Sequence, residues 1–369
     1  MPSPEQPPVQ NEDLAPESPR PERETPRAAL PPTPEAEAVK SALHALSSQV
    51  AGDKPITGRD IDGVKKALEA LYARKLELLV ESAYEQERHL HKEAGFLETL
   101  SDGTEGLTDL YGKEHAFPTK AEALSRLETK RELIEKKLAQ YERPRLLIVP
   151  FGKSLPDFAH VWKQTLATHK DTLHNEDGSK ETVNTTMTGK KYENAESPAW
   201  VWKQYETAEK SGDLVYDPHS LDEHHGGKTK KQKLAELGGY SVILIDDMTD
   251  LPAEGVAKTK KGRPTPEANH SPGDYLSMLQ TNPHYAGEQG CYPEETLYLY
   301  IRNLREKGGL ITDNWQKNGK SSYSLGAYFK GSARAPYSGW RSDDSRGSLG
   351  GDDVSGRRSG DSVRFRVGV

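Results

Sequence analysis

The chain of 369 residues carries one cysteine, Cys291, with four methionines and six phenylalanines, and only 33% of it is hydrophobic. A single cysteine excludes an intrachain disulfide and a thiolate metal cluster. No apolar run reaches the length of a spanning helix, so no membrane insertion is expected. No charged-then-apolar leader follows Met1, which predicts an intracellular chain, cytoplasmic by default, with display on a cell or virion surface left open. A net charge of −7 and a pI near 6.0 lack the basic excess of a general nucleic-acid binder, and no nucleic-acid partner is expected. A mean hydropathy of −0.83 is low for a chain that is globular throughout, so part of it is predicted to be disordered or exposed helix. No glycine-rich phosphate loop, nucleophile elbow or HExxH sequence occurs.

What is present begins with a Pro- and Glu-rich segment, residues 1–34, with too few large apolar residues to offset chain entropy. It is predicted to be a disordered tail. Residues 35–143 read as helical. Val39, Leu43, Leu46 and Val50 sit at helix spacing. Thr57 or Asp60 caps a longer helix striped by Val64, Leu68, Leu71, Leu76, Leu79 and Val80. Gly95, Asp102-Gly103 and Glu105-Gly106 interrupt the pattern. Thr119, with Glu122 three residues on, opens a third helix through a capping box. Leu124, Leu127, Ile134, Leu138 and Tyr141 form its apolar face, and Arg143-Pro144 ends it. The region predicts an α-helical hairpin or coiled-coil bundle. It serves either self-association or partner docking, or is an accessory domain packed on its neighbour.

From residue 145 to residue 369 the pattern is that of an α+β domain. Leu146–Val149 and Tyr240–Ile245 are strong strands, and Pro198–Trp202, Leu214–Tyr216 and Ser322–Phe329 are weaker ones. Helices are predicted from Ser154 or Asp157 to His169, from Pro272 or Asp274 to Leu279, and from Pro293 to a stop at Gly308-Gly309. Residues 171–191 read as a loop or hairpin. The order is not an alternating βα array, which argues against a doubly wound sheet. The strand near Leu146 is expected to pair with the last strand, near Val367.

Five groups carry candidate chemistry. His219, His224 and His225 with Asp222 and Glu223 form a ligand set suited to Zn or Mn, although the spacing matches no zinc motif and Gly226-Gly227-Lys228 marks an exposed turn. Asp246-Asp247 follows a strong strand, but adjacent carboxylates alternate faces and do not make a pair. Cys291 could be a nucleophile, but it has no identified histidine partner and reads as a buried or merely exposed thiol. Two basic clusters, Lys228, Lys230 and Lys231, and Lys258, Lys260 and Lys261, read as solvated loops, with contact to a phosphate or an acidic partner as the alternative. A metal-dependent enzyme built on the histidine cluster or on Asp246/Asp247 is therefore the alternative reading. The preferred one comes from the end of the chain.

Tyr337 to Val369 is dominated by Ser, Gly, Asp and Arg, yet it contains Trp340 and Leu349 and closes on the alternating Ser362-Val363-Arg364-Phe365-Arg366-Val367. A disordered tail has no reason to end in a strand, so the polar run reads as loops held between buried anchors. The Trp340, Leu349 and Val363–Val367 pattern resembles the close of C-type lectin-like domains of the formylglycine-generating-enzyme type. Val363 stands where Phe is usual, and Ser362 where Gly is usual. The paired cysteines of that enzyme are absent, so its activity does not carry over.

The same fold type carries the variable proteins of diversity-generating retroelements, in which template adenines in Asn codons are miscopied. That mechanism reaches fifteen residue types and never Lys, Glu, Gln, Met or Trp. From Arg341 to Ser362 none of those five occurs. The resemblance implies a C-type lectin-like domain over 145–369 with a variable region at 337–362. It implies a non-enzymatic display protein without cofactor that binds a protein or glycan ligand. The implied ligand-binding residues are Tyr337, Gly339, Arg341, Ser342, Asp343, Asp344, Arg346, Ser355, Arg357, Arg358 and Ser359. Tyr337 is the only aromatic close by in sequence that suits a hot spot.

Overall fold

The computed structural model describes residues 34–52, 55–174, 180–184, 198–248, 251–252, 254–306, 321–341, 346–356 and 361–368. The chain forms two compact units, residues 1–71 and 72–369. The expected disordered tail lies outside the described residues, apart from Pro34. In the first unit lie α1 (Pro34–Ala51) and the start of α2 (Gly58–Glu93), which runs on across the boundary. Thr57 and Asp60 act together at its start. The Asp60 carboxylate accepts the Thr57 N–H at 2.9 Å, the Thr57 hydroxyl at 2.6 Å and the Gln49 amide at 3.3 Å.

The second unit is a mixed α+β fold with several helices and sheets. Where the sequence shows only an interruption, β1 (Glu98–Thr99), β2 (Glu105–Thr108) and β3 (Glu114–Ala116) make a small antiparallel sheet. The single third helix expected from Thr119 is in fact two, α3 (Lys120–Glu128) and α4 (Arg131–Gln140). The Thr119–Glu122 capping box forms as expected. The break comes at Lys130, whose φ of −127° leaves helical geometry while its ammonium reaches the Gly368 carbonyl at 2.9 Å.

Next come β4 (Pro144–Val149), α5 (Leu155–Thr168), the hairpin β5 (Lys170–His174) and β6 (Lys180–Asn184), and β7 (Ala199–Val201). They are followed by α6 (Ala208–Ser211), β8 (Leu214–Tyr216), β9 (Lys228–Thr229), α7 (Lys230–Leu237), β10 (Ser241–Asp246), β11 (Thr259–Lys260), β12 (Arg263–Pro264) and α8 (Pro272–Thr281). The last third holds β13 (Gln289–Gly290), α9 (Pro293–Arg305), β14 (Ser321–Tyr323), β15 (Ala327–Phe329), β16 (Arg334–Arg341), β17 (Arg346–Asp353), β18 (Asp361–Val363) and β19 (Phe365–Gly368). The glycine stop expected at Gly308-Gly309 lies outside the described residues.

The core is a four-stranded antiparallel sheet in the order β13-β19-β10-β4. The expected pairing of the Leu146 strand with the last strand is corrected: β10 lies between them, with Ile243 opposite Leu147 on one side and Gly368 on the other. Both faces are covered, which is why β4 and β10 read as unbroken apolar runs. Leu147, Val149, Ile243 and Ile245 face one core with residues of α5 and α9, and Leu146, Ile148, Val242 and Leu244 face the other with residues of α2, α3 and α4. At the outer edge of β4, the Glu87 carboxylate accepts the Ile148 N–H at 3.0 Å and His91 Nε2 meets the Ile148 carbonyl at 2.6 Å.

A second sheet runs β18-β14-β16-β15-β8-β9, with β17 paired to β16 and to β7. The chain leaves this sheet and enters the central one at Arg364, which is fully buried and reaches the Asp246 carbonyl at 3.4 Å. The closing strand expected as one piece is therefore two strands in different sheets.

Candidate functional site

The polar run that reads as loops is largely paired strand. β16 and β17 are matched residue for residue from Arg334↔Asp353 to Arg341↔Arg346. Three of the anchors named from sequence are buried: Trp340 and Leu349 lie in the core that α5 and α9 also face, and Val363 packs with Tyr323, Tyr275 and Phe365. Leu349 sits opposite Ser338, and Gly347 opposite Trp340.

Of the predicted contact residues, Tyr337 and Arg346 are half-buried, Gly339 is buried and Ser355 is exposed. Arg341 ends β16. Ser342, Asp343, Asp344, Arg357, Arg358 and Ser359 lie outside the described residues. Ser355 donates its N–H and its hydroxyl to Asp353, each at 2.8 Å. These two bonds hold the Asp353 carboxyl below the usual range, so it stays anionic at neutral pH.

The sequence missed Trp200. It lies on β7, in register with Ser348 of β17 through a parallel pairing, and is 40% exposed. Tyr337 is thus not the only aromatic beside the run. The strand around Trp200 was legible from its alternating aromatics, but its neighbour was not. Trp202 is turned inward against Phe329, with ring centres 5.1 Å apart, and carries the Arg334 guanidinium at 5.5 Å. Arg334 also donates to the Gly351 carbonyl at 2.9 Å.

Elsewhere in this unit charges are buried in pairs. Lys230 is fully buried between Glu294 and Glu209 and lies 3.8 Å from the Phe151 ring centre. The reading of its cluster as a solvated loop is corrected at this residue. Burial works against the Lys230 charge, but the two carboxylates hold its pKa above the usual lysine value. Arg366 pairs with Glu295 at 2.6 Å and lies 4.3 Å from the Tyr292 ring centre. Burial pushes Glu295 up to about 7 against the pull of Arg366. Such pairs are costly to break from one side.

The residues of the enzyme reading have structural partners. Asp246 accepts the N–H groups of Glu142 and Arg143, at 3.1 and 2.8 Å. Asp247 accepts from Asn303 at 3.0 Å and pairs with Arg145 at 2.7 Å. His225 Nδ1 accepts the Gly227 N–H at 2.9 Å, His219 N–H donates to the His225 carbonyl at 2.7 Å, and His224 points into solvent. Among the described residues no group of three His, Cys, Asp or Glu is placed to hold a metal ion. Cys291 is fully buried. No described helix is long and apolar enough to cross a membrane. In comparisons with protein-family models, curated proteins and solved structures, nothing matches this chain.

Proposed function

We propose that this chain is a non-enzymatic ligand-binding protein of the diversity-generating retroelement type. Its C-terminal domain, residues 145–369, is C-type lectin-like and displays a variable region over 337–362 to a protein or glycan ligand. The N-terminal helical region associates with a second copy, and the protein works in the cytoplasm or on a surface it is delivered to. The observation that carries the reading is the alternation within the run. Buried Trp340, Leu349 and Val363 bracket stretches of Ser, Gly, Asp and Arg that contain no Lys, Glu, Gln, Met or Trp. A surface of short polar residues and arginine beside the exposed Trp200 ring and the half-buried Tyr337 ring has the chemistry of a paratope.

The test is genomic and structural together. A reverse-transcriptase gene should lie nearby, with a near-copy of the coding sequence for 337–369 that differs only at adenines. Natural variants made from it should keep the circular dichroism spectrum of the parent. A genome with neither the enzyme nor the copy sinks the reading.

A further inference from the structure

Gly347, Gly350 and Gly351 lie within β17, and none has a positive φ. Glycine is therefore not there for backbone freedom. It is there for close approach, the other reason a strand interior carries it. A Cβ on Gly347 would lie 2.6 Å from the edge of the Trp162 ring and 3.0 Å from Leu166, both buried in the core. A Cβ on Gly351 would fall onto the Trp202 ring, which Phe329 and the Arg334 guanidinium hold in place. A Cβ on Gly350 would lie 2.6 Å from the Tyr337 ring and 2.8 Å from its hydroxyl.

The three cases differ. Trp162 and Trp202 come from outside the run, so their rings stay whatever the run encodes. Tyr337 belongs to the run, is half-buried and is itself one of the reachable residue types. We propose that Gly347 and Gly351 are fixed positions inside the variable region, and that Tyr337 and Gly350 are a coupled specificity pair, so that a ring at 337 is compatible only with glycine at 350. Ligand specificity then falls on that pair and on Arg346, Asp353 and Ser355, against the constant, exposed ring of Trp200. The inference rests on the display reading for its meaning, but its geometry stands without it.

The experiment is a displayed library of the full chain, with the fifteen reachable residue types at 337, 346, 347, 350, 351, 353 and 355. The library is challenged with protease and the survivors are sequenced. Glycine should be enriched about tenfold or more at 347 and 351 in every background, an enrichment corresponding to about 1.4 kcal/mol. At 350 it should be enriched only in clones with an aromatic at 337. Positions 353 and 355 should show little bias. Survivors that carry larger residues at 347 or 351 as often as glycine, or a residue at 350 indifferent to 337, overturn the proposal.

Should the library survive too poorly to count, single variants decide. G351A should lower the melting temperature, and W202L with G351A should lie above the sum of the two separate losses. Strict additivity sinks the proposal. The two readings fail separately: free variation at 347 and 351 beside a genomic near-copy removes the lock and leaves the display function. Fixed glycines without a near-copy do the reverse.

Discussion

Glu87 and His91, one helical turn apart on α2, give the outer edge of β4 the partners that a further strand would supply. A buried backbone N–H or carbonyl left unpaired is costly, so these two side chains close the sheet. Glu87 also accepts the Tyr298 hydroxyl at 2.9 Å and pairs with Arg302 at 2.7 Å, and burial raises its pKa to about 8. His91 must carry its proton on Nε2 to reach the Ile148 carbonyl. Its Nδ1 has no partner and lies among the rings of Phe96, Phe117, Tyr240 and Tyr298. Burial holds its pKa down at about 4, against 6.5 for an unperturbed histidine.

The unfolded chain therefore takes up this proton first as pH falls. The stability tied to neutral His91 is complete above about pH 6.5 and is lost progressively toward pH 4. A drop from 6.5 to about 4 corresponds to about 3 kcal/mol. His91→Gln, followed by urea unfolding at pH 7 and pH 4, should narrow the wild-type difference by about that amount. Equal acid sensitivity in the two proteins rejects the assignment. None of this was readable in the sequence. His91 looks like any polar position on a long helix, and Lys230 like one of three lysines in a basic cluster. Their burial is set by elements far away in the chain.

At the scale of elements, local signals were legible and partners were not. The Thr119–Glu122 box forms as read, and Ser154 with Asp157 and Ser271 with Asp274 make two more of the same kind. Each is a contact within four residues, so the local order of residues reveals it. The apolar runs at 146–149 and 240–245 announce strands covered on both faces. Which strands they pair with is another matter: β10 separates β4 from β19, and the chain changes sheet at Arg364. The β16/β17 hairpin was hidden for a related reason. A strand is recognised by side chains on alternate positions. In β17, glycines leave room for rings from Trp162, Tyr337 and Trp202, so the bulk that marks the strand belongs to other segments.

The proposed division into anchors and substitutable positions has a direct consequence. Leu349→Ala empties a fully buried site between α5 and the hairpin and should cost about 2–5 kcal/mol in urea unfolding. Ser355→Ala, at an exposed position six residues on, should leave the unfolding midpoint where it is. Similar losses at both positions would remove the distinction on which a tolerant surface depends.

At the scale of the whole molecule, the unanswered surface is in the first unit. Val39, Leu43, Leu46 and Val50 repeat at steps of four and three residues, the spacing of a helix seam. Val39 is buried and Leu46 half-buried, but Leu43 is 50% exposed and Val50 59%, and Ile56 and Ile61 beyond the turn are 46% and 57% exposed. A single helix of this length is marginal in water unless its apolar stripe is covered. Residues 1–33 offer little to cover it, since Val9, Leu14 and Leu30 are their only large aliphatic residues besides Met1. The charges favour a like partner. Residues 35–71 hold six acidic against five basic side chains, both signs interspersed, which suits a second copy of itself better than a strongly charged surface.

If the chain has the proposed display function, pairing here would present two binding surfaces on one particle, and two linked weak contacts gain about a hundredfold to ten-thousandfold in avidity when both can engage. Sedimentation of the full chain should therefore show a dimer or larger species that dissociates on dilution. The double variant Leu43→Glu/Val50→Glu should sediment as a monomer with its circular dichroism beyond α1 intact. A wild type that is monomeric at every concentration leaves the helical region as an accessory to its own chain and rules out avidity through α1.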